Sequence, residues 1–236
     1  MIFRPNLLLL AAAAFFLLPA VLSAQQLDNS TVVQLIDAAV HARIDHVAEY
    51  SVTEHYAVFR NGDETTPAAE MMVKTLYRKD QGKTFTILSQ SGSSLLRNKL
   101  LGSVLDSEKQ MSQPGMRETV LVTNNNYQMK LKSTDPQRID GRDCLLLDLV
   151  PRRATPSLFR GTLWVDAHDF SIVQLEGKAE KSHSFLTGPA QVSRQYANMS
   201  GFSMATHAKA VSDSALLGRT TVKIDYLDYQ VKLLPN

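Results

Sequence analysis

The sequence predicts an α+β protein that is mainly β: an incomplete antiparallel β-barrel, a curled sheet of about ten or eleven strands covered by two or more helices forming a lid. Three observations carry this expectation. Most of the chain alternates apolar and polar residues with period two, punctuated by turn dipeptides such as Asn61-Gly62 and Asp140-Gly141. Only two segments, 30–48 and 94–111, place apolar residues at helical spacing. Nowhere do strand and helix patterns alternate as a parallel sheet requires, which argues against a Rossmann-type nucleotide fold. A sheet this wide must curl, and its inner face must be covered. With so few helices to cover it, an apolar groove between sheet and helix is expected.

Composition narrows the classes of function. Of 236 residues, 44% are hydrophobic and 20% charged, which is ordinary globular composition. Lys and Arg number 25 against 23 Asp and Glu, and no basic stripe stands out, so no nucleic-acid partner is expected. The single cysteine, Cys144, excludes an intramolecular disulfide and multi-cysteine metal sites. Its setting, Asp143-Cys144-Leu145-Leu146-Leu147, predicts a buried and inert thiol.

Taken in order, the chain opens with Arg4, an unbroken apolar run over 7–18, Pro19, and the small residues of Leu22-Ser23-Ala24. This is the layout of a secretory signal peptide over residues 1–24, cleaved after Ala24. The run falls short of the roughly 18 apolar residues of a spanning helix. Residues 25–236 are then expected to be a single exported domain. A helix over 30–48 is predicted by Val32, Val33, Leu35, Ile36, Ala39 and Val40, with Asn29 or Ser30 as its cap. Tyr50, Val52, Tyr56 and Val58 alternate with polar neighbours as a strand, and 69–78 pairs with 83–90 around Lys79-Asp80-Gln81-Gly82.

The second helix, 94–111, carries Leu96, Leu100, Leu101, Val104 and Leu105 on one face, with Arg97 and Glu108 near it. Gly102-Ser103 softens its middle, since Gly costs about 1 kcal/mol against Ala in a helix. It reads either as a core helix whose Arg97 snorkels out or as a movable lid over an apolar cavity. On the second reading those five apolar residues line the cavity. After Gln113-Pro114-Gly115 the pattern is strands: 118–123 with 127–132, then 137–139, 143–150, 158–166 with 170–176, and, past a loop over 178–189, a meander of 191–197, 202–212 and 219–231.

Signatures of catalysis are scarce. The sequence holds no G-x-S-x-G, H-E-x-x-H, P-loop or G-x-G-x-x-G, so no enzyme and no cofactor are expected. His41 and His46 diverge by about 140° around their helix, too far for easy shared ligation of a metal. In Asp166-Ala167-His168-Asp169 the carboxylates suit local turn amides better than a cation or a hydrolase. In Ser182-His183-Ser184, neighbouring side chains of an extended segment point apart, which separates a nucleophile from its base. Trp164 shares a strand face with Thr162 and Asp166 and is expected in the core.

Three stretches carry a resemblance. They are Asn-Tyr-Gln-Met-Lys-Leu at 126–131, Asp-Gly-Arg-Asp-Cys-Leu-Leu-Leu-Asp-Leu at 140–149 leading into Pro151-Arg152-Arg153, and Leu-Phe-Arg-Gly-Thr-Leu-Trp-Val-Asp at 158–166. The last continues through Phe170-Ser171-Ile172-Val173 to Glu176-Gly177, and on to Lys181-Ser182-His183-Ser184-Phe185. Together, over about a quarter of the chain, this resembles the outer-membrane lipoprotein-sorting proteins of the LolA/LolB-like superfamily. The resemblance implies an unclosed barrel with a helical lid and an apolar cavity. It implies a periplasmic carrier that shields the acyl chains of a lipoprotein, or another lipid or amphiphile, on the way to the outer membrane. Inner- or outer-membrane proteins would be its partners. The family carrier latches its lid with an arginine, for which Arg43, Arg60, Arg97 and Arg160 are all candidates. The same superfamily also implies an alternative, a sensor or protein-interaction module like the related domain of the anti-sigma-factor regulator RseB.

Overall fold

The computed structural model describes residues 28–181, 189–214 and 218–235; the proposed signal peptide and Ser182-His183-Ser184 lie outside these described residues. Ten strands form one antiparallel sheet: β1 (Val47–Arg60), β2 (Ala69–Arg78), β3 (Gly82–Gly92), β4 (Tyr127–Ile139), β5 (Arg142–Pro151), β6 (Phe159–Asp166), β7 (Ile172–Ala179), β8 (Gln191–Met199), β9 (Phe202–Ser214) and β10 (Gly218–Leu233). Their order across the sheet is β3-β2-β1-β10-β9-β8-β7-β6-β5-β4. Every neighbour is a sequential hairpin partner except β1 and β10, which pair from Val47–Leu233 to Arg60–Thr220. Strands β3 and β4 are the two edges and do not pair with each other, so the sheet stays open. The chain between them, which holds the lid, has to pass from one edge of the sheet to the other.

Helix α1 (Asn29–His46) begins one residue earlier than its sequence pattern suggests, because Asp28 is the cap. The Asp28 carboxylate accepts the N–H groups of Ser30 (2.8 Å) and Thr31 (3.0 Å) together with both hydroxyls. The Ser30 hydroxyl bond first, then those of Thr31, hold its pKa at about 2. The stripe Val32, Val33, Ile36, Val40 and Ile44 packs on the inner face of β4–β7, against Met129, Leu147, Leu163 and Leu175 among others. Asn29 fastens this helix to edge strand β4: its amide donates to the Met129 carbonyl (3.3 Å) and its oxygen accepts from the Leu131 N–H (2.6 Å). That occupies part of an open edge. His41 and His46 each pair through Nδ1 with a carbonyl of their own helix, those of Asp37 and Ala42, at 2.8 Å.

The second helical segment starts as a π-helical stretch, Leu96–Leu101, and continues as α2 (Gly102–Ser112). The change of winding falls at Gly102-Ser103, where the sequence is softest. Gln113 turns extended and a short helix α3 (Pro114–Arg117) follows. Leu96, Leu101 and Leu105 pack on the inner face of β1, β2, β9 and β10, in a second core with Val52, Tyr56, Val73 and Ile224.

Two expectations are corrected. Residues 118–123 are turns rather than a strand, and β4 pairs with β5 instead, from Tyr127–Pro151 to Ile139–Arg142. Side chains satisfy the backbone there in place of a ladder: the Asn126 amide donates to the carbonyls of Glu118 (2.8 Å) and Leu121 (2.7 Å), and Arg153 to that of Thr119. Trp164 is half-buried on the outer face, where its N–H donates to Gln137 (3.3 Å), while Leu163 and Val165 fill the core. At the β6–β7 turn the Asp166 carboxylate accepts from the His168 N–H (2.8 Å) and that of Asp169 from the Ser171 N–H (2.9 Å), the Asx-turn arrangement. Cys144 is buried, and burial pushes its thiol pKa up.

Candidate functional site

The two helical layers cover the flanks of the sheet and leave its middle open. Strand β8 contributes no fully buried residue, and the inner face of β9 is small where it faces the gap, with Ala208, Ala210 and Ser212. A cavity of about 570 Å3 results, between the inner faces of β7–β10, helix α1 and helix α2. Such a volume lies within the ordinary range for small-molecule sites, roughly 300–1,000 Å3. On the α1 side the wall is largely apolar, built by Val40, Ile44, Leu121, Ile172 and Leu175, with Arg43 beside them. The turn at 120–122 that replaces a strand supplies Leu121 and its two neighbours to this wall.

Of the five apolar lid residues, Leu100 and Val104 line the cavity. Leu96, Leu101 and Leu105 face the sheet and hold the lid in place. The four candidate arginines also separate. Arg43 lines the cavity from α1, whereas Arg160 pairs with Glu180 (2.8 Å) at the exposed side of β6. Arg97 lies within the π-helical stretch and Arg60 at the end of β1. None of the four contacts α2 through a side-chain ion pair among the described residues; Arg194 of β8 does.

Lys83, Glu108 and Arg194 form the polar heart of the cavity. Lys83 Nζ lies 2.7 Å from one Glu108 oxygen, and an Arg194 Nη lies 3.5 Å from the other. Edge strand β3, helix α2 and central strand β8 are thereby joined at one carboxylate. Burial by itself would raise the Glu108 pKa; the charges of Lys83 and Arg194 outweigh it and bring it to about 2. Lys83 is pushed the other way: desolvation opposes its charge, but Glu108 overcompensates and raises its pKa. Tyr50 and Tyr226 line the same wall, and burial raises both phenols. Their hydroxyls have no hydrogen-bond partner among the described residues. Beside Tyr226, its register partner Glu54 is buried and accepts the Tyr56 hydroxyl on one oxygen; the other oxygen has no partner.

Further ties hold the lid at its C-terminal end. The Lys83 N–H donates to Ser112 Oγ (2.7 Å), the Gln113 amide to the Gln81 carbonyl (2.9 Å), and Arg117 to the Tyr77 hydroxyl (2.6 Å) and Lys79 carbonyl (3.0 Å). Gly82 permits this approach: it has φ +77°, and a Cβ there would lie 2.8 Å from the Ser112 hydroxyl and the Gln113 amide.

The sequence reading missed Lys83 and Arg194, although each left a trace. Lys83 shares its strand parity with Phe85, and Arg194 stands between Val192 and Tyr196 in the inward register. A cation in an apolar register is the signal of a buried partner or a polar cavity. Glu108, noted beside the lid stripe, is the partner.

No family model and no curated protein matches the chain. Among solved structures it is similar to a LolA superfamily protein from Nitrosomonas europaea, at 16% identity over 89% of this chain and 96% of that one, with a TM-score of 0.43. A second is a putative outer membrane lipoprotein-sorting protein domain from Vibrio parahaemolyticus, at 13% identity over 84% and 92%, with a TM-score of 0.47. A third is MucB of Pseudomonas aeruginosa, solved in complex with MucA, at 12% identity over 85% and 99%, with a TM-score of 0.27.

Proposed function

We propose that this protein is a periplasmic carrier that shelters the acyl chains of a lipoprotein, or of another lipid or amphiphile, in the cavity between sheet and lid. The observation that carries the reading is a cavity of about 570 Å3, largely apolar over its α1 side and roofed by Leu100 and Val104 of the lid. Each methylene transferred from water into such a space contributes about 0.8 kcal/mol, so ten buried methylenes supply about 8 kcal/mol before the costs of binding. Residues 1–24 direct export, and residues 25–236 act as one domain. The lid opens as the chain enters, with Glu108 as the tie to be loosened and the Gly102 region as the soft point. No catalysis and no cofactor belong to this reading.

The test is native mass spectrometry of the protein recovered from the periplasm, with lipid extraction of the same sample and titration with a fluorescent fatty acid. A bound lipid or acylated species, or saturable binding of the probe, is the expected result. A clean apo mass together with no probe binding at any concentration would overturn the carrier reading. Stoichiometric recovery of a membrane protein without lipid would favour the sensor-like alternative.

A further inference from the structure

We infer that the ligand is a single-chain amphiphile with an anionic head, its head group received by Lys83, Arg194 and the hydroxyls of Tyr50 and Tyr226. This rests on the carrier reading and narrows it to one class of ligand.

Volume limits the chain count. Taking a methylene as about the size of a water molecule in the liquid, ~30 Å3, 570 Å3 matches one chain of roughly eighteen carbons. A diacyl lipid placed in this space leaves close to half of its chain carbons outside, and a triacyl lipid more.

Charge sets the head group. Two cations, Lys83 and Arg194, meet one carboxylate inside the cavity. Glu108 binds Lys83 closely with one oxygen and reaches Arg194 only at 3.5 Å, the long limit of a hydrogen bond, so the guanidinium keeps donors to offer. The nearby Glu54 does not line the cavity; Tyr56 donates to one of its oxygens and the other has no partner. Arg43 and Arg117 add two positive charges to the wall without an ion-pair partner among the described residues, and Asp169 adds one negative charge, so the lining stays net positive. A cationic head would be repelled here. A neutral head would leave the two tyrosine hydroxyls and the guanidinium donors poorly met. A carboxylate or phosphate accepts from all of them. The Lys83–Glu108–Arg194 cluster lies on the lid side and most of the apolar wall, Arg43 apart, on the α1 side, so the chain runs beneath α1 with its head under α2.

The experiment is a titration of the whole exported chain with palmitate, 1-palmitoyl lysophosphatidate, methyl palmitate, hexadecyltrimethylammonium and a dipalmitoyl phosphatidylglycerol. The two anionic single-chain probes are expected to bind one to one and at least about tenfold more tightly than the other three. Preference between palmitate and the lysophosphatidate then separates a fatty-acid source from a phospholipid source. Tyr226→Phe, which removes a hydroxyl with no partner among the described residues, is expected to weaken palmitate several-fold and to change methyl palmitate far less, with no loss of melting temperature. Arg194→Gln is expected to weaken palmitate about tenfold. Equal binding of palmitate and methyl palmitate, or tighter binding of the two-chain lipid, would overturn this inference and leave the carrier reading standing. Failure of all five probes would overturn this inference, and, joined to a clean apo mass of the periplasmic protein, the carrier reading as well.

Discussion

Lys83 Nζ on edge strand β3 lies 2.7 Å from the Glu108 carboxylate on α2, with both side chains less than one-fifth exposed. One ion pair thus fixes the lid to the rim of the sheet, inside a largely apolar space. In such surroundings the charges are costly singly and tolerable together. The pair is accordingly a device of position: it sets where the roof of the cavity sits, and Arg194 links it to the floor.

Removing one partner is therefore expected to cost more than removing both. Glu108→Gln leaves Lys83 and Arg194 facing each other without a counter-charge and is expected to destabilise the protein by about 3 kcal/mol. Lys83→Met combined with Glu108→Gln is expected to recover part of this loss. Urea denaturation of the three variants measures the difference.

The same carboxylate predicts an acid limb. Its folded pKa of about 2 lies below the ordinary 4.5. A depressed folded pKa contributes stability that is complete above the unfolded value and is lost as pH falls toward the folded one. Stability is expected to fall between about pH 4.5 and about pH 2. In Glu108→Gln this limb is expected to be shallower, as read from melting temperature against pH.

The division of the lid residues into roof and anchor is testable by truncation. Leu101, wholly buried against the sheet, is expected to lose about 3 kcal/mol as Leu101→Ala. Val104→Ala faces existing empty space and is expected to lose less than about 1 kcal/mol, while altering binding of an acyl-chain probe. Chemical denaturation beside a binding titration separates the two.

Gly161 and Gly177 face each other across β6 and β7, inside the segment that carries the sequence resemblance. A Cβ on Gly161 would lie 1.9 Å from the Glu176 carbonyl oxygen. Gly161→Ala is expected to destabilise by about 3 kcal/mol or to prevent folding, measured as urea midpoint or soluble yield.

Cys144 is wholly buried, and burial raises its thiol pKa. Its reaction with a thiol reagent is expected to await unfolding, so that labelling tracks the denaturation curve rather than reagent concentration.

The fold was readable because period-two alternation is a local consequence of one-sided burial. The turns at Asn61-Gly62 and Asp140-Gly141 adopt the positive φ that their residues announce. Residues 118–123 show where that logic stops. Val120, Leu121 and Val122 have strand-like composition, yet Asn126 and Arg153 satisfy their neighbouring carbonyls from a distance and hold them in turns. Trp164 shows the same limit. Alternation places it on one face of β6, but which face is inner depends on the helix that covers the other, and α1 covers Leu163 and Val165.

By itself, then, the sequence determined the mainly β character, most strand and helix positions, and the absence of an intramolecular disulfide, because each follows from neighbours along the chain or from composition. Only the tertiary structure decided that β1 pairs with β10, that β8 is left without a fully buried residue, and that Lys83, Glu108 and Arg194 share one cavity. These residues stand 25 and 86 positions apart along the chain, and no local periodicity encodes which distant cation a buried carboxylate will meet. The energy of that meeting exists only once the curled sheet and its helices have excluded the water around it.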